Sequence, residues 1–221
     1  LERITPGTEP WLLRPKARTP APAIKEIQDG VYYVDLLKVK PKELEESIDV
    51  LAKARGVVFD YRGRPFQIYP EIVIRHLLQS EDTSDAWFMT PMITYPDFTN
   101  VTYKKEGWGL IPSEPHIRGK VVFLTNAAAR CASECFLSFV EHYNLGEIVG
   151  QATAGYIGTM NTVKLPSGFK LIWTGQKVVK HDGSQHHLIG ITPTVPVKRT
   201  IQGLIEGRDE YLEKALEIIN E

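Results

Sequence analysis

The chain has 221 residues, 43% hydrophobic and 24% charged, with a formal net charge of −1. This is ordinary globular composition, long enough for one large domain, or a domain with an arm, to bury its core without disulfide or metal staples. The balance lacks the basic footprint of a nucleic-acid or anionic-membrane binder, and no apolar run approaches the roughly 20 residues of a spanning helix, so no nucleic-acid partner and no membrane span are expected.

Residues 1–29 read as a proline-rich arm or linker, because Pro6, Pro10, Pro15, Pro20 and Pro22 exclude regular helix. The chain opens on Leu1 without a signal-peptide pattern, which points to a removed targeting segment or to missing upstream domains. Residues 30–221 read as one domain. A strand is expected at 31–37 (VYYVDLL), then a helix over 41–55 with Leu44, Ile48, Leu51 and Ala52 at helical spacing, then a short buried strand at 57–60. Strand–helix–strand order argues for an α/β fold with a crossover.

Residues 80–118 show no period and scatter Trp87, Met89, Met92, Tyr95, Phe98, Tyr103 and Trp108 among prolines. A long loop held down by its own aromatics is expected. A second strand–turn–helix–strand unit follows: 120–125 (KVVFLT), a small-residue turn at 126–130, a helix over 131–143 with Cys135, Phe136, Phe139 and Val140 on one stripe, and 147–150 (EIVG). The pattern then predicts a hairpin, 161–165 with 169–174, around Pro166-Ser167-Gly168, a further strand at 177–180, and a terminal amphipathic helix over 209–219.

The second unit carries the chemistry. Its turn delivers Cys131 and Ser133 to a helix N-terminus, where unpaired N–H groups and the helix dipole favour a developing negative charge. Set against this, a half-buried helix cysteine is usually a packing residue. Cys131 and Cys135 lie four apart, and a disulfide between them would need distorted geometry.

Four segments in order resemble the tail-specific (C-terminal processing) serine peptidase family, which includes the tricorn core. Residues 119–150 (GKVVFLTNAAARCASECFLSFVEHYNLGEIVG) are similar to the family's strand, turn and Ser-Ala-Ser-Glu helix start. Residues 57–65 (VVFDYRGRP) are similar to its I-D-L-R-x-N-x-G-G strand and loop. Residues 150–158 (GQATAGYIG) resemble the loop after its next strand, and 190–197 (GITPTVPV) its G-I-x-P-D-x-x-V segment. The resemblance spans roughly residues 30–219. It implies a ClpP/crotonase-like core of repeated β-β-α units with a strand-rich C-terminal portion.

Carried over residue by residue, the nucleophile falls on Cys131, three residues before Glu134, where the family has serine. The oxyanion donors fall on the amide of Ala132 and on Phe66 or Gln67, which replace the family's glycine pair. Arg62, Gly63, Gly155 and Tyr156 fall in the substrate cleft. Tyr156 replaces the lysine of the family's Ser–Lys dyad, which leaves His187, or its neighbour His186, as the candidate base, because imidazole titrates near neutrality. Solvation is the plainer role for two adjacent loop histidines. His76 reads as structural, His116 sits in a proline-bounded loop, and His142 is about three turns from Cys131. No histidine pair has metal spacing with a third ligand, so neither metal nor cofactor is expected.

The resemblance implies a hydrolase acting on peptides or proteins through an acyl-enzyme, in an exported or periplasmic setting, with a homo-oligomer compatible. The competing reading is an inactive homologue that binds peptides or other ligands in the old cleft, and the cysteine, the missing lysine and the missing glycines favour it. A coenzyme-A enzyme of the related hydratase type lacks the basic phosphate cluster it would need.

Overall fold

The computed structural model describes residues 22–65, 70–84, 87–93 and 101–221. In chain order the elements are β1 (Ile24–Gln28), β2 (Val31–Asp35), α1 (Pro41–Lys53), β3 (Gly56–Asp60), α2 (Pro70–Val73), β4 (Phe88–Ile93), β5 (Val101–Glu106), β6 (Lys120–Thr125), α3 (Ala132–Tyr143), β7 (Glu147–Gly150), β8 (Met160–Lys164), β9 (Lys170–Thr174), β10 (Lys177–Val178), β11 (Val195–Pro196), α4 (Ile201–Glu206) and α5 (Glu210–Asn220). No helix among the described residues is long and apolar enough to cross a membrane.

The main sheet has the order β1-β2-β3-β6-β7-β11. Only the β1–β2 pair is antiparallel; the other pairs are parallel. Parallel neighbours need crossovers, and α1 and α3 supply them as β2–α1–β3 and β6–α3–β7 units. Each crossover joins parallel neighbours through one helix.

The strands alternate between two covered faces, as a buried parallel sheet requires. Val57, Phe59, Val121, Phe123 and Ile148 pack with Leu44 and Leu51 of α1 and with Phe136, Leu137, Phe139 and Val140 of α3. Val31, Val58, Val122, Leu124 and Val149 face Tyr211, Ala215 and Ile219 of α5. Helix α1 begins with Pro41 in its first turn, where a missing N–H costs nothing, and buries Leu44, Ile48 and Leu51 at i, i+4 and i+7. Helix α3 is buried from Ser133 to Val140, almost all round.

Two expectations change. The sequence places an arm over 1–29, but Ile24–Gln28 pair with β2, so the sheet already includes them; residues 1–21 lie outside the described residues. The sequence also places a loop over 80–118, where the structure forms β4 and β5, an antiparallel pair extended by β10. Every residue of β5 is exposed, so no apolar alternation marks it as a strand. The base of this arm rests on Asp82, whose Oδ1 accepts from Ser84 Oγ and Tyr143 OH at 2.7 Å each.

Phe136 is fully buried, with its ring 4.4 Å from that of Tyr61 and 5.8 Å from that of Phe123. Phe136→Ala is expected to lower unfolding free energy by about 3–5 kcal/mol, read from a urea transition whose midpoint falls at constant slope.

Candidate active site

Adjacent strands β3, β6 and β7 all deliver their C-terminal ends to one edge of the sheet. The turn after β6 is an Asx turn: Asn126 Oδ1 accepts from the Ala128 amide at 2.8 Å, and the Asn126 carbonyl from the Ala129 amide at 2.9 Å. The chain then reverses at Cys131, which has φ 56° and ψ −110° and is the N-cap of α3. A non-glycine residue at positive φ between strand and helix is a strained elbow that holds its side chain up at the helix mouth.

The elbow is fixed from below by Glu134. Its fully buried carboxylate accepts from Thr153 Oγ1 and the Gly155 amide on Oε1, both at 2.6 Å, and from the Tyr156 amide at 3.0 Å and the Cys131 amide at 3.1 Å on Oε2. Four donors fill the four acceptor positions of an ionised carboxylate. The buried His186 adds Nε2 at 3.5 Å from Oε1, an ion-pair distance rather than a direct hydrogen bond. Burial pushes the Glu134 carboxyl up, but His186, Thr153 and the Gly155 amide outweigh it and hold it below the ordinary glutamate value.

The rest of the elbow is backbone. Cys131 N donates to the Tyr156 carbonyl at 2.7 Å and Ala154 N to the Ala129 carbonyl at 2.9 Å. Gly155 has φ +66°, and a Cβ there would meet the backbone of Leu188 and Ile189 at 2.8 Å. Ser133 Oγ donates to the Gly63 carbonyl at 2.5 Å, which draws the 61–65 loop against α3. The amides of Ser133, Glu134 and Cys135 are committed to the carbonyls of Arg130 and Cys131. Among the described residues, no partner engages the Ala132 N–H.

Cys131 and Ala132 form one wall of a cavity of about 350 Å³, with Cys135, Ile157, Phe88 and Trp108 as its apolar lining and Arg64 and Pro65 at its side. Phe88 and Trp108 meet edge-on, 6.1 Å between ring centres. A second hollow of about 620 Å³ shares Phe88, Trp108 and Thr159, so an open groove continues from the cavity beside Cys131. Neither cysteine is in a disulfide; Cys131 is partly exposed and Cys135 buried.

The structure therefore brings Cys131, Ala132, Gly63, Gly155 and Tyr156 together. Phe66 and Gln67 lie outside the described residues. His187 is not among the residues that line the cavity, and its Nε2 accepts from the Val178 amide at 3.1 Å. Arg62 has a different role from the cleft role read in the sequence. Its guanidinium binds Asp60 through Nε and Nη2 and Asp209 through Nη1 and Nη2, at 2.6–3.0 Å, and stacks 5.5 Å from the Tyr211 ring. It clamps the N-cap of α5 to the end of β3. His186, offered by the sequence together with His187, is buried against Glu134 instead of facing the cavity. Sequence reading assigned Phe88 and Trp108 no place in the site, because prolines and polar neighbours leave the 80–118 segment without a period.

The sequence model of peptidase family S41 matches residues 76–197, just over half of the chain. No curated protein matches it. Among solved structures, a candidate peptidase from Parabacteroides merdae superimposes on 89% of this chain and 63% of its own, with TM-score 0.72 at 20% identity. Mature CPAF does so over 86% and 52%, with TM-score 0.67 at 14% identity. The photosystem II D1 C-terminal processing protease does so over 76% and 42%, with TM-score 0.52 at 18% identity. The chain spans less than two thirds of the length of each of these structures.

Two measurements test the site. Glu134→Gln replaces two acceptor oxygens by one and turns an amide group toward N–H donors; a loss of about 3–5 kcal/mol is expected in chemical denaturation. Because the native Glu134 value is lowered, its stabilisation is present above the ordinary glutamate value and disappears as pH falls through the native one. The acid limb of stability against pH should accordingly be shallower in Glu134→Gln than in the parent chain. Arg62→Ala should cost about 2–4 kcal/mol, since Asp209 is partly solvated, while leaving the alkylation rate of Cys131 unchanged. A fall in that rate at full stability would return Arg62 to the cleft.

Proposed function

The chain belongs to peptidase family S41, and on that footing we propose that it hydrolyses peptide bonds of peptides or proteins through a thioester on Cys131. The observation that carries the reading is the uncommitted Ala132 N–H beside a strained Cys131, both opening on one cavity. Cys131 Sγ adds to the scissile carbonyl carbon, and the oxygen that gains charge lies within the field of the Ala132 N–H and the α3 N-terminus. The carbon–nitrogen bond breaks as the amine leaves with the proton given up by the thiol. Water then adds to the thioester carbon, releasing the carboxylic acid and returning a proton to sulfur.

On the family pattern the second oxyanion donor is Phe66 or Gln67. His187, the base that the same pattern indicates, would have to release the Val178 amide before its Nε2 could take a proton. The apolar lining from Phe88, Trp108 and Ile157 fits an apolar side chain next to the scissile bond. The crossover sheet goes with a ClpP/crotonase-like core, and an exported, periplasmic setting goes with the family likeness.

A second reading has its own support. With His187 already hydrogen-bonded and Tyr156 where the family has a dyad lysine, the groove can serve as a peptide-binding site without turnover.

The deciding experiment incubates the folded chain with a mixed peptide library and follows both peptide products and protein mass. Cleavage, or a peptide–thioester mass on Cys131, is expected, with a loss of at least about 10³-fold in Cys131→Ala and turnover retained in Cys131→Ser. Peptide binding that survives in Cys131→Ala without any cleavage by the parent chain would establish the binding module instead.

A further inference from the structure

Among the described residues, the β8–β9 hairpin carries one apolar face whose side chains stay exposed. Its register pairs Asn161 with Trp173 and Val163 with Leu171. The pairing continues to the tip, where the Leu165 amide donates to the Phe169 carbonyl at 2.8 Å and Gly168, at φ +84°, closes the three-residue turn. Since successive side chains alternate between faces, Val163, Leu165, Phe169, Leu171 and Trp173 share one side. All five are exposed, by 42–73%. The opposite side carries Thr162, Ile172 and the directly opposed Lys164 and Lys170.

A two-stranded hairpin is marginal in water unless something covers its apolar face. The five side chains present roughly 500 Å² of apolar surface, at the upper end of what a soluble monomer leaves open. We propose that this face is covered by the same face of a second copy of the chain, giving a two-fold symmetric dimer. Three features select a second copy. The face is free of charge, its two lysines being turned to the other side, so two copies meet without opposing like charges. The net charge of −1 sets up almost no long-range repulsion between copies. Two such faces bury about 1,000 Å², the lower bound of a specific interface, in an isologous contact that closes on itself. The hairpin is rooted at Gly158, Thr159 and Met160 on the cavity rim, so pairing would also hold that rim in place.

Sedimentation velocity of the whole chain over a range of concentrations is expected to show a species of twice the chain mass. Phe169→Glu combined with Leu171→Lys alters exposed positions only; it should keep the circular dichroism and melting temperature and weaken association by at least about thirty-fold. Thr162→Glu, on the other face, should leave association intact. A single-chain species at every concentration would overturn the proposal, as would a dimer indifferent to the Phe169/Leu171 pair. A monomer that instead captures a reduced, carboxymethylated unfolded polypeptide through this face would overturn it too, and would assign the face to substrate.

Discussion

The carboxylate of Glu134 is buried beneath the elbow with its charge intact, and the candidate site is assembled around it. A buried charge is costly unless its acceptor positions are filled. Here they are filled by the amide of Cys131 and by three groups of the loop after β7. One side chain thus ties the strand-to-helix turn to its neighbouring loop. The same tie holds the Cys131 backbone at φ 56°, a conformation that persists only where its surroundings impose it. Thr153 extends the tie to the next segment, because its Oγ1 accepts from the Ile191 amide at 2.8 Å while donating to Glu134.

The sheet order explains why these parts meet. Strand β6 lies between β3 and β7, and all three run parallel. Their carboxyl ends therefore lie side by side, and crevices beyond such ends are where open α/β sheets place ligand sites. The loop after β3 brings Arg64 and Pro65 to the cavity's side, the turn after β6 brings Cys131 and Ala132, and the loop after β7 brings Ile157 through Thr159. Helices α3 and α5, packed on opposite faces, keep the strands in register so that the loops arrive at the same height.

Under the proposed function, the site departs from its family's pattern at the groups that move protons and keeps the groups that bind charge. Sulfur would stand for oxygen at 131 and a tyrosine for the lysine at 156, above a helix mouth with an uncommitted amide and a buried carboxylate. Charge stabilisation at a helix N-terminus acts on any negative centre that forms there, whichever atom attacks. That is why acyl transfer and plain peptide binding are the two chemistries this geometry supports.

Much of the fold could be read along the chain, because its signals are local. The helices over 41–53 and 132–143, the strands around them and the hairpin turn at Pro166-Ser167-Gly168 are stated by periodicity, proline placement and turn residues. The proposed role of Cys131 came from the family resemblance, which sets it three residues before Glu134. The sequence could not state which partner each polar side chain finds. Arg62 looked like a cleft residue until Asp209, 147 positions away, was seen to take its guanidinium. The Nε2 of His187, the base read from the sequence, accepts from the Val178 amide, while the neighbouring His186 turns inward to Glu134. Strand β5 stayed hidden because a strand with no buried face leaves no alternation to read. Local sequence determines where the chain bends and which stretches bury an apolar face, since those depend on neighbours in the chain. Which charges pair, and so which side chains remain free for chemistry, was decided only by the tertiary structure, because those distances are set by elements far apart in sequence.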